Sequence, residues 1–225
     1  MIQGGKMQKS MKIRTVSPSG IFAASLSVMG RRAPTDFSVI GEGDHLYRRC
    51  LGFLCSARCS GDAILAAYEV SKKLDPAFEA VLGGFHSPLE KQFLEILLVR
   101  HVPVIVCVPR PLKGMRVPTP WRVPIEEGRL VVMSPVLSGN RRFSRSDAEM
   151  RNAIVAAVAN PLFIPFAFPG GSIERLLSTC AAWGKTILTV ECNDQPVLRA
   201  VAAGGIEGWL TGRRGEFREK KLVLL

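Results

Sequence analysis

The sequence predicts an α/β domain built in three layers, α/β/α, around a mainly parallel sheet, and two observations carry that expectation. Apolar runs of strand length repeatedly break off into small or phosphate-friendly residues: Leu51 to Cys55 before Ser56-Ala57-Arg58, Ala80 to Leu82 before Gly83-Gly84-Phe85-His86-Ser87, Leu162 to Phe168 before Pro169-Gly170-Gly171-Ser172, and Thr186 to Val190 before Glu191-Cys192-Asn193. A helical pattern follows such exits, and parallel neighbours need a crossover of the kind a helix supplies. In addition, Val102 to Val108 is apolar throughout, as strands buried on both faces are. The 225 residues, 47% of them hydrophobic, suit one such domain with appendages.

The elements follow in chain order. Residues 1–35 hold Lys6, Lys9, Lys12 and Arg14 among Gly, Ser and Pro, and read as a flexible basic N-terminal arm with Met7 and Met11 as alternative starts. The weakly apolar Ile21 to Met29 is too diluted to be a signal peptide. Residues 36–210 form the Rossmann-like domain. Phe37 to Ile40 is a short strand, and Asp44 caps a helix from His45 to about Arg49. Ser60 caps a helix from Gly61 to Leu74 that sets Ile64, Leu65, Tyr68 and Lys72 on neighbouring turns. Pro88 opens a helix whose Leu89, Phe93, Ile96, Leu97 and Arg100 fall at helical spacing. Arg110 to Gly128 contains Pro111, Pro118, Pro120 and Pro124 and reads as a loop, too rich in proline for helix or central strand. Leu130 to Met133 is a strand, Ser138 to Ser146 a polar loop, Asp147 to Ala159 a helix, Ser172 to Trp183 a helix ended by Gly184, and Pro196 to Ala203 the last helix. Residues 211–225 form a charged, basic tail.

Charge and cysteine usage narrow the function classes. The formal net charge of +11 points to a polyanionic partner, because phosphate neutralisation by Lys and Arg drives nucleic-acid affinity. Between Arg100 and Arg145 stand nine Lys or Arg against only Glu126 and Glu127, so one rim should be strongly positive. Cys50, Cys55, Cys59, Cys107, Cys180 and Cys192 lie in or beside apolar runs, which suits buried small side chains in a reducing cytoplasm. Cys55 and Cys59 lack a second Cys or His pair at zinc-finger spacing, so no metal and no cofactor is expected. No apolar stretch approaches a membrane span, because Arg100, Arg110 and Lys185 interrupt the candidates.

Strand exits at the carboxyl edge of a parallel sheet leave helix N-terminal amides facing a ligand, and these predict an anion site. Ser56 and Arg58 offer one phosphate a hydroxyl and a guanidinium fork, or serve as cap and surface residue. Gly83-Gly84 permits close approach of ligand to backbone, or only a tight strand exit. His86 beside Ser87 lacks a nucleophile elbow and an acidic partner by sequence, so it reads as an anion contact or turn rather than a hydrolase pair. Arg151-Asn152 reaches for a ligand or sits on a solvated face, and Pro169-Gly170-Gly171-Ser172 opens a helix as a second phosphate seat. Phe85, Trp121, Phe143 and Phe168 are either core or stacking platforms for bases.

The order of these pieces resembles the Rossmann-like core of the DNA-processing protein A (DprA, or Smf) family, over roughly Gly52 to Cys192. The resemblance rests on Cys55-Ser56-Ala57-Arg58, on Gly83-Gly84-Phe85-His86-Ser87-Pro88, on Arg151-Asn152, and on Gly170-Gly171-Ser172; Cys55 stands where that family has glycine. It implies single-stranded DNA binding without catalysis, handover to a RecA-type recombinase during natural transformation, and a homodimer. It assigns Ser56 and Arg58 to the phosphate pocket, Gly83, Gly84, His86 and Ser87 to the second turn, and Arg151, Asn152, Gly171 and Ser172, with Gly170 beside them, to the opposite wall. The wider superfamily includes the Lonely-guy phosphoribohydrolases, whose signature Pro169-Gly170-Gly171 resembles, with Ile173 in place of the next glycine and Glu174 earlier than the catalytic glutamate. A nucleotide hydrolase using Glu174, or a nucleotide-sensing module without chemistry, are therefore the alternatives.

Overall fold

A computed structural model describes residues 11–42, 44–47, 49–75, 80–139, 144–190 and 195–211. The four core strands anticipated at the carboxyl-edge turns are present as β3 (Leu51–Phe53), β4 (Val81–Gly83), β7 (Leu162–Phe163) and β8 (Ile187–Thr189), with β5 (Val104–Cys107) and β6 (Leu130–Ser134) between them in sequence. With β1 (Ile13–Val16), β2 (Phe37–Ile40) and β9 (Gly204–Gly205) they form one nine-stranded sheet in the order β1-β2-β6-β5-β4-β3-β7-β8-β9. All pairings from β6 to β9 are parallel; only the β1/β2 and β2/β6 pairings are antiparallel. The fold is thus α/β with a mainly parallel sheet, as the strand and helix rhythm predicts.

Helices cover both faces and divide the core in two. On one face α2 (Gly61–Lys73), α3 (Pro88–Val99), α4 (Thr119–Glu126) and α8 (Ile206–Leu210) pack over Phe53, Phe93 and Phe163. The rings of Phe53 and Phe93 stack at 3.9 Å and 11°. On the other face α1 (Gly20–Leu26), α5 (Arg145–Val158), α6 (Ser172–Ala182) and α7 (Pro196–Val201) enclose Phe22, Phe37, Ile154 and Leu177. Among the described residues no helix is long and apolar enough to cross a membrane.

Three expectations are corrected. The arm assigned to residues 1–35 is, from residue 13 on, a paired edge strand and a docked helix: Phe22, Leu26 and Met29 are buried against the core, and three apolar anchors outweigh the local Gly and Ser. Part of the proline-rich loop is helix α4, because Pro120 lies in its first turn, where the missing N–H bonds nothing, and the eight-residue helix ends soon after Pro124. The strand anticipated to Phe168 pairs only through Phe163; beyond it the chain stays buried through Ile164 and Ala167 but leaves the ladder. The helix expected over Gly61 to Leu74 is present as α2, with Ile64, Leu65 and Tyr68 exposed and Ala63, Ala67 and Val70 buried, small residues letting the helix lie close to the sheet. Strand β9 and helix α8 extend the fold past the last anticipated helix. Phe143, Arg141, Arg142, Cys192 and the tail from residue 212 lie outside the described residues.

Candidate nucleic-acid interface

In the sheet order, chain connectivity reverses between β3 and β7, which are adjacent and parallel. In open α/β sheets ligands bind in the crevice outside the carboxyl ends of the strands at such a switch point. The segments leaving β3 and β7 are stitched together there. The Ser56 amide donates to the Phe166 carbonyl at 3.2 Å, and Ser56 Oγ accepts from the Phe168 amide at 2.8 Å. Gln195, opening α7, clamps the far side of the same segment: its carboxamide accepts from the Ala167 amide and donates to the Ala167 carbonyl, both at 2.7 Å. This double clamp carried no sequence signal, since a lone Gln before a Pro-started helix is unremarkable.

Arg58 and the glycine turn share one lip. The Arg58 guanidinium lies 5.9 Å from the centre of the Phe168 ring, and the Gly171 amide donates to the Phe168 carbonyl at 2.8 Å. Arg58 is exposed and Phe168 is 40% exposed, so a cation and an aromatic face stand together at the crevice. Of the other aromatics considered for stacking, Phe85 is core, 5% exposed, and Trp121 lines a cleft described below.

The second turn is built around an internal carboxylate. Ser87 and Glu90 form a capping box at the start of α3, with Ser87 Oγ accepting from the Glu90 amide at 3.2 Å. Glu90, 3% exposed, does more: Oε2 accepts from the His86 and Ser87 amides, each at 2.9 Å, and Oε1 from the Cys55 amide at 3.3 Å. One buried carboxylate thus ties the β4 exit to the β3 exit. The expectation that these amides stay free for a phosphate is not met, because the chain supplies its own anion. The same occurs at α6, where Gly170 adopts φ +69° and its amide donates to Glu174 Oε2 at 2.7 Å. At α5 the Ser144 amide donates to Asp147 Oδ2 at 2.9 Å.

What remains for an external anion is side-chain charge. Arg151, 6% exposed, comes from α5 and lies flat against Gly84: a Cβ there would sit 2.4 Å from Nη1 and 2.5 Å from Cζ, so only glycine leaves room for it. Its Nε donates to Asn152 Oδ1 at 2.9 Å, which fixes the plane of the guanidinium. Arg151, Gly84 and His86 line a cleft of about 940 Å³ between α3 and α4, together with Lys91, Glu95, Arg110 and Trp121. Asn152 and Ser172 instead line a smaller hollow of about 340 Å³ between α5 and α6 with Arg175 and Glu149. Arg175 Nη1 donates to the Gly170 carbonyl at 2.6 Å, and its Nη2 meets Glu149 Oε1 at 3.2 Å.

The predicted residues therefore fall into three groups. Ser56, Arg58, Gly170 and Gly171 meet at the switch point, Gly84, His86 and Arg151 meet in the cleft, and Asn152 and Ser172 face the hollow, while Gly83 and Ser87 are buried in strand end and cap. Cys55, at the head of the first turn, is a poor nucleophile: burial, then the neighbouring Cys59 and Glu90, push its thiol well above the usual range. Among the described residues no group of three or more His, Cys, Asp or Glu is placed to hold a metal ion.

No family model matches the sequence, and no curated protein matches it. Solved structures do. DNA processing protein A from Helicobacter pylori, a protein with a described single-stranded DNA binding mode, superposes with a TM-score of 0.72 at 12% identity, over 91% of this chain and 97% of that one. DNA processing protein A from Streptococcus pneumoniae superposes with a TM-score of 0.67 at 15% identity, over 84% of this chain and 67% of that one. With a reversal of connectivity at β3/β7, helices on both faces and near-complete coverage of the first of these structures, the chain has the fold of DNA processing protein A.

Proposed function

We propose that this protein binds single-stranded DNA along the carboxyl edge of its sheet, without catalysis, as a DprA-like protein acting in DNA uptake and recombination. The observation that supports it best is the exposed Arg58 and Phe168 pair at the switch point, together with a cleft whose cations Arg151, Arg110 and Lys91 come from three separate segments. Guanidinium groups recognise phosphate oxygens, and an exposed ring takes the face of any base, which is the combination single-strand binders use. The net charge of +11 favours the same partner. A RecA-type recombinase that receives the strand, a homodimer and a reducing cytoplasm complete this reading.

The test is oligonucleotide binding by fluorescence anisotropy against salt. Affinity should fall with a log–log slope of about −0.7 for each phosphate contacted. Arg58→Ala should weaken binding by about 1–3 kcal/mol, the range for hydrogen bonds to charged groups and for base stacking. Binding that ignores both salt and this substitution refutes the reading. The hydrolase alternative gains no support from the geometry, since Glu174 spends an oxygen on the Gly170 amide.

A further inference from the structure

Helices α5 and α6 are successive crossovers between parallel strands, so they run side by side from the carboxyl edge of the sheet, and the hollow of about 340 Å³ lies between them. That volume is at the small end of ligand sites, roughly 300–1,000 Å³. Its chemistry changes along its length. Ser146 and Ser172 stand at the carboxyl-edge end, where the helices begin, while Leu176, Thr179 and Trp183 carry the lining along α6, Thr179 lying about 10 Å beyond Ser172. The short 3₁₀ turn Ser27–Arg32 closes the hollow with Met29 and Arg32, and Arg32 enters at the polar end because β2, five positions later, starts at the carboxyl edge. Asn152 is the buried polar side chain of the lining, 7% exposed. Arg151 Nε can only donate, so the Asn152 atom it meets at 2.9 Å is Oδ1, and Nδ2 is left toward the hollow with no partner among the described residues.

We infer that this hollow binds an apolar monocarboxylate of medium length, its carboxylate accepting from Asn152 Nδ2 and Arg32 and its chain lying along α6 toward Trp183. The charges of the lining are Arg32, Arg175 and Glu149. Glu149 Oε1 accepts from both Arg145 and Arg175, each at 3.2 Å, so its charge is answered twice, whereas Arg32 is exposed and has no ion pair among the described residues. The other acids at this end, Asp147 and Glu174, turn back onto the Ser144 and Gly170 amides. One free guanidinium and one free amide NH₂ match a single negative charge; a phosphate monoester would leave its second charge unanswered. Met29 and Met150 in the lining are unbranched and adaptable, which suits a flexible chain better than a rigid ring. This site is separate from the switch point and the cleft, and the inference does not depend on DNA binding.

The experiment titrates the full chain, labelled with carbon-13 at its methionine methyls, with octanoate, 1-octanol, octylammonium and acetate, followed by NMR and isothermal titration calorimetry. Octanoate should bind once per chain with a dissociation constant of about a millimolar or below, and should shift the Met29 and Met150 methyls together. Octanol, the tail without the charge, should bind at least about tenfold more weakly, the size of one hydrogen bond to a charged group. Octylammonium, with the wrong charge, and acetate, a head without the tail, should not bind detectably. Asn152→Asp keeps an acceptor for Arg151 Nε but turns a carboxylate oxygen toward the hollow, and should remove octanoate binding. Arg32→Gln, at an exposed position, should weaken it about tenfold. Octanol binding as tightly as octanoate, octanoate binding unchanged in either variant, unmoved Met29 and Met150 methyls at saturation, or no binding at millimolar octanoate overturns the inference, and none of these results touches the DNA-binding reading.

Discussion

Replacing Glu90 tests the central structural claim, that a carboxylate of the chain occupies the seat a ligand phosphate was expected to fill. In Glu90→Ala the amides of Cys55, His86 and Ser87 lose their acceptor, two of them at 2.9 Å and one at 3.3 Å. A hydrogen bond to a charged group contributes about 1.5–3 kcal/mol net, so three give a gross loss of roughly 4.5–9 kcal/mol. Two effects offset it: water reaches the amide of exposed His86, and the cost of burying a carboxylate that is 3% exposed disappears. The expected net loss is about 3–4 kcal/mol. Glu90→Gln separates charge from geometry. Its carbonyl keeps the two short bonds to His86 and Ser87, but its NH₂ then faces the Cys55 N–H, one donor against another, for a loss of about 1–2 kcal/mol.

Urea unfolding followed by circular dichroism measures both losses, read as shifts in midpoint at constant slope. A loss below about 1 kcal/mol for Glu90→Ala, or a Gln variant as damaged as the Ala variant, refutes the assignment. A complementary observation is chemical rescue. Acetate should raise the unfolding midpoint of Glu90→Ala and leave the wild type unmoved, because only the variant has an empty anion seat.

Three other perturbations are expected to read out distinct parts of the site. Gly84→Ala places a methyl 2.4 Å from Arg151 Nη1, so it should expel the guanidinium and weaken oligonucleotide binding about as much as Arg151→Ala, with little further loss in the double variant. Phe168→Ala should cost about 1–3 kcal/mol of single-strand affinity by removing the exposed ring, with a salt slope equal to wild type because no phosphate contact is lost. Burial pushes the Cys107 thiol from an ordinary 9.0 up to about 12, so its contribution to stability is complete below pH 9 and is lost as pH rises toward 12, when the unfolded thiol ionises and the folded one does not. The alkaline decline of the urea midpoint should therefore be shallower in Cys107→Ala, by up to about 1.4 kcal/mol per pH unit in that window.

The parts of the fold that the sequence made legible are those where one local signal dominates. Ser60 caps α2 because its hydroxyl accepts from the N3 amide, Pro88 opens α3 because its missing N–H bonds nothing there, and the buried parallel strands betray themselves as unbroken apolar runs. The convergence of Arg58 with Gly171 followed from strand exits falling on one edge of a parallel sheet. What stayed hidden depends on tertiary context. Strand β1 and helix α1 have weak local propensity and are held by Phe22 and Leu26 docking on α5 and the sheet. The helical period of Ile64, Leu65 and Tyr68 does not say which side of α2 is buried, because that is decided by how closely the helix must approach the sheet. The capping box of Ser87 and Glu90 went unread in the sequence, and nothing local shows that its acid also reaches the Cys55 amide 35 positions earlier in the chain.

Glu90, Glu174 and Asp147 occupy the same place at three helix starts, each turning its carboxylate back onto amides in the preceding turn. A helix N-terminus neutralised in this way no longer draws a phosphate into a backbone cradle, since the ligand would have to displace a bonded carboxylate in contact with it. On the proposed reading anion recognition then falls to Arg58, Arg110 and Arg151, which stand on separate segments. Three dispersed guanidinium groups fit successive phosphates of an extended chain better than the compact phosphate cluster of a free nucleotide. If the internal carboxylates bias the site toward the backbone of a single strand, as the proposed function requires, an oligonucleotide binds more tightly than AMP at equal salt, and equal or tighter binding of AMP refutes that step.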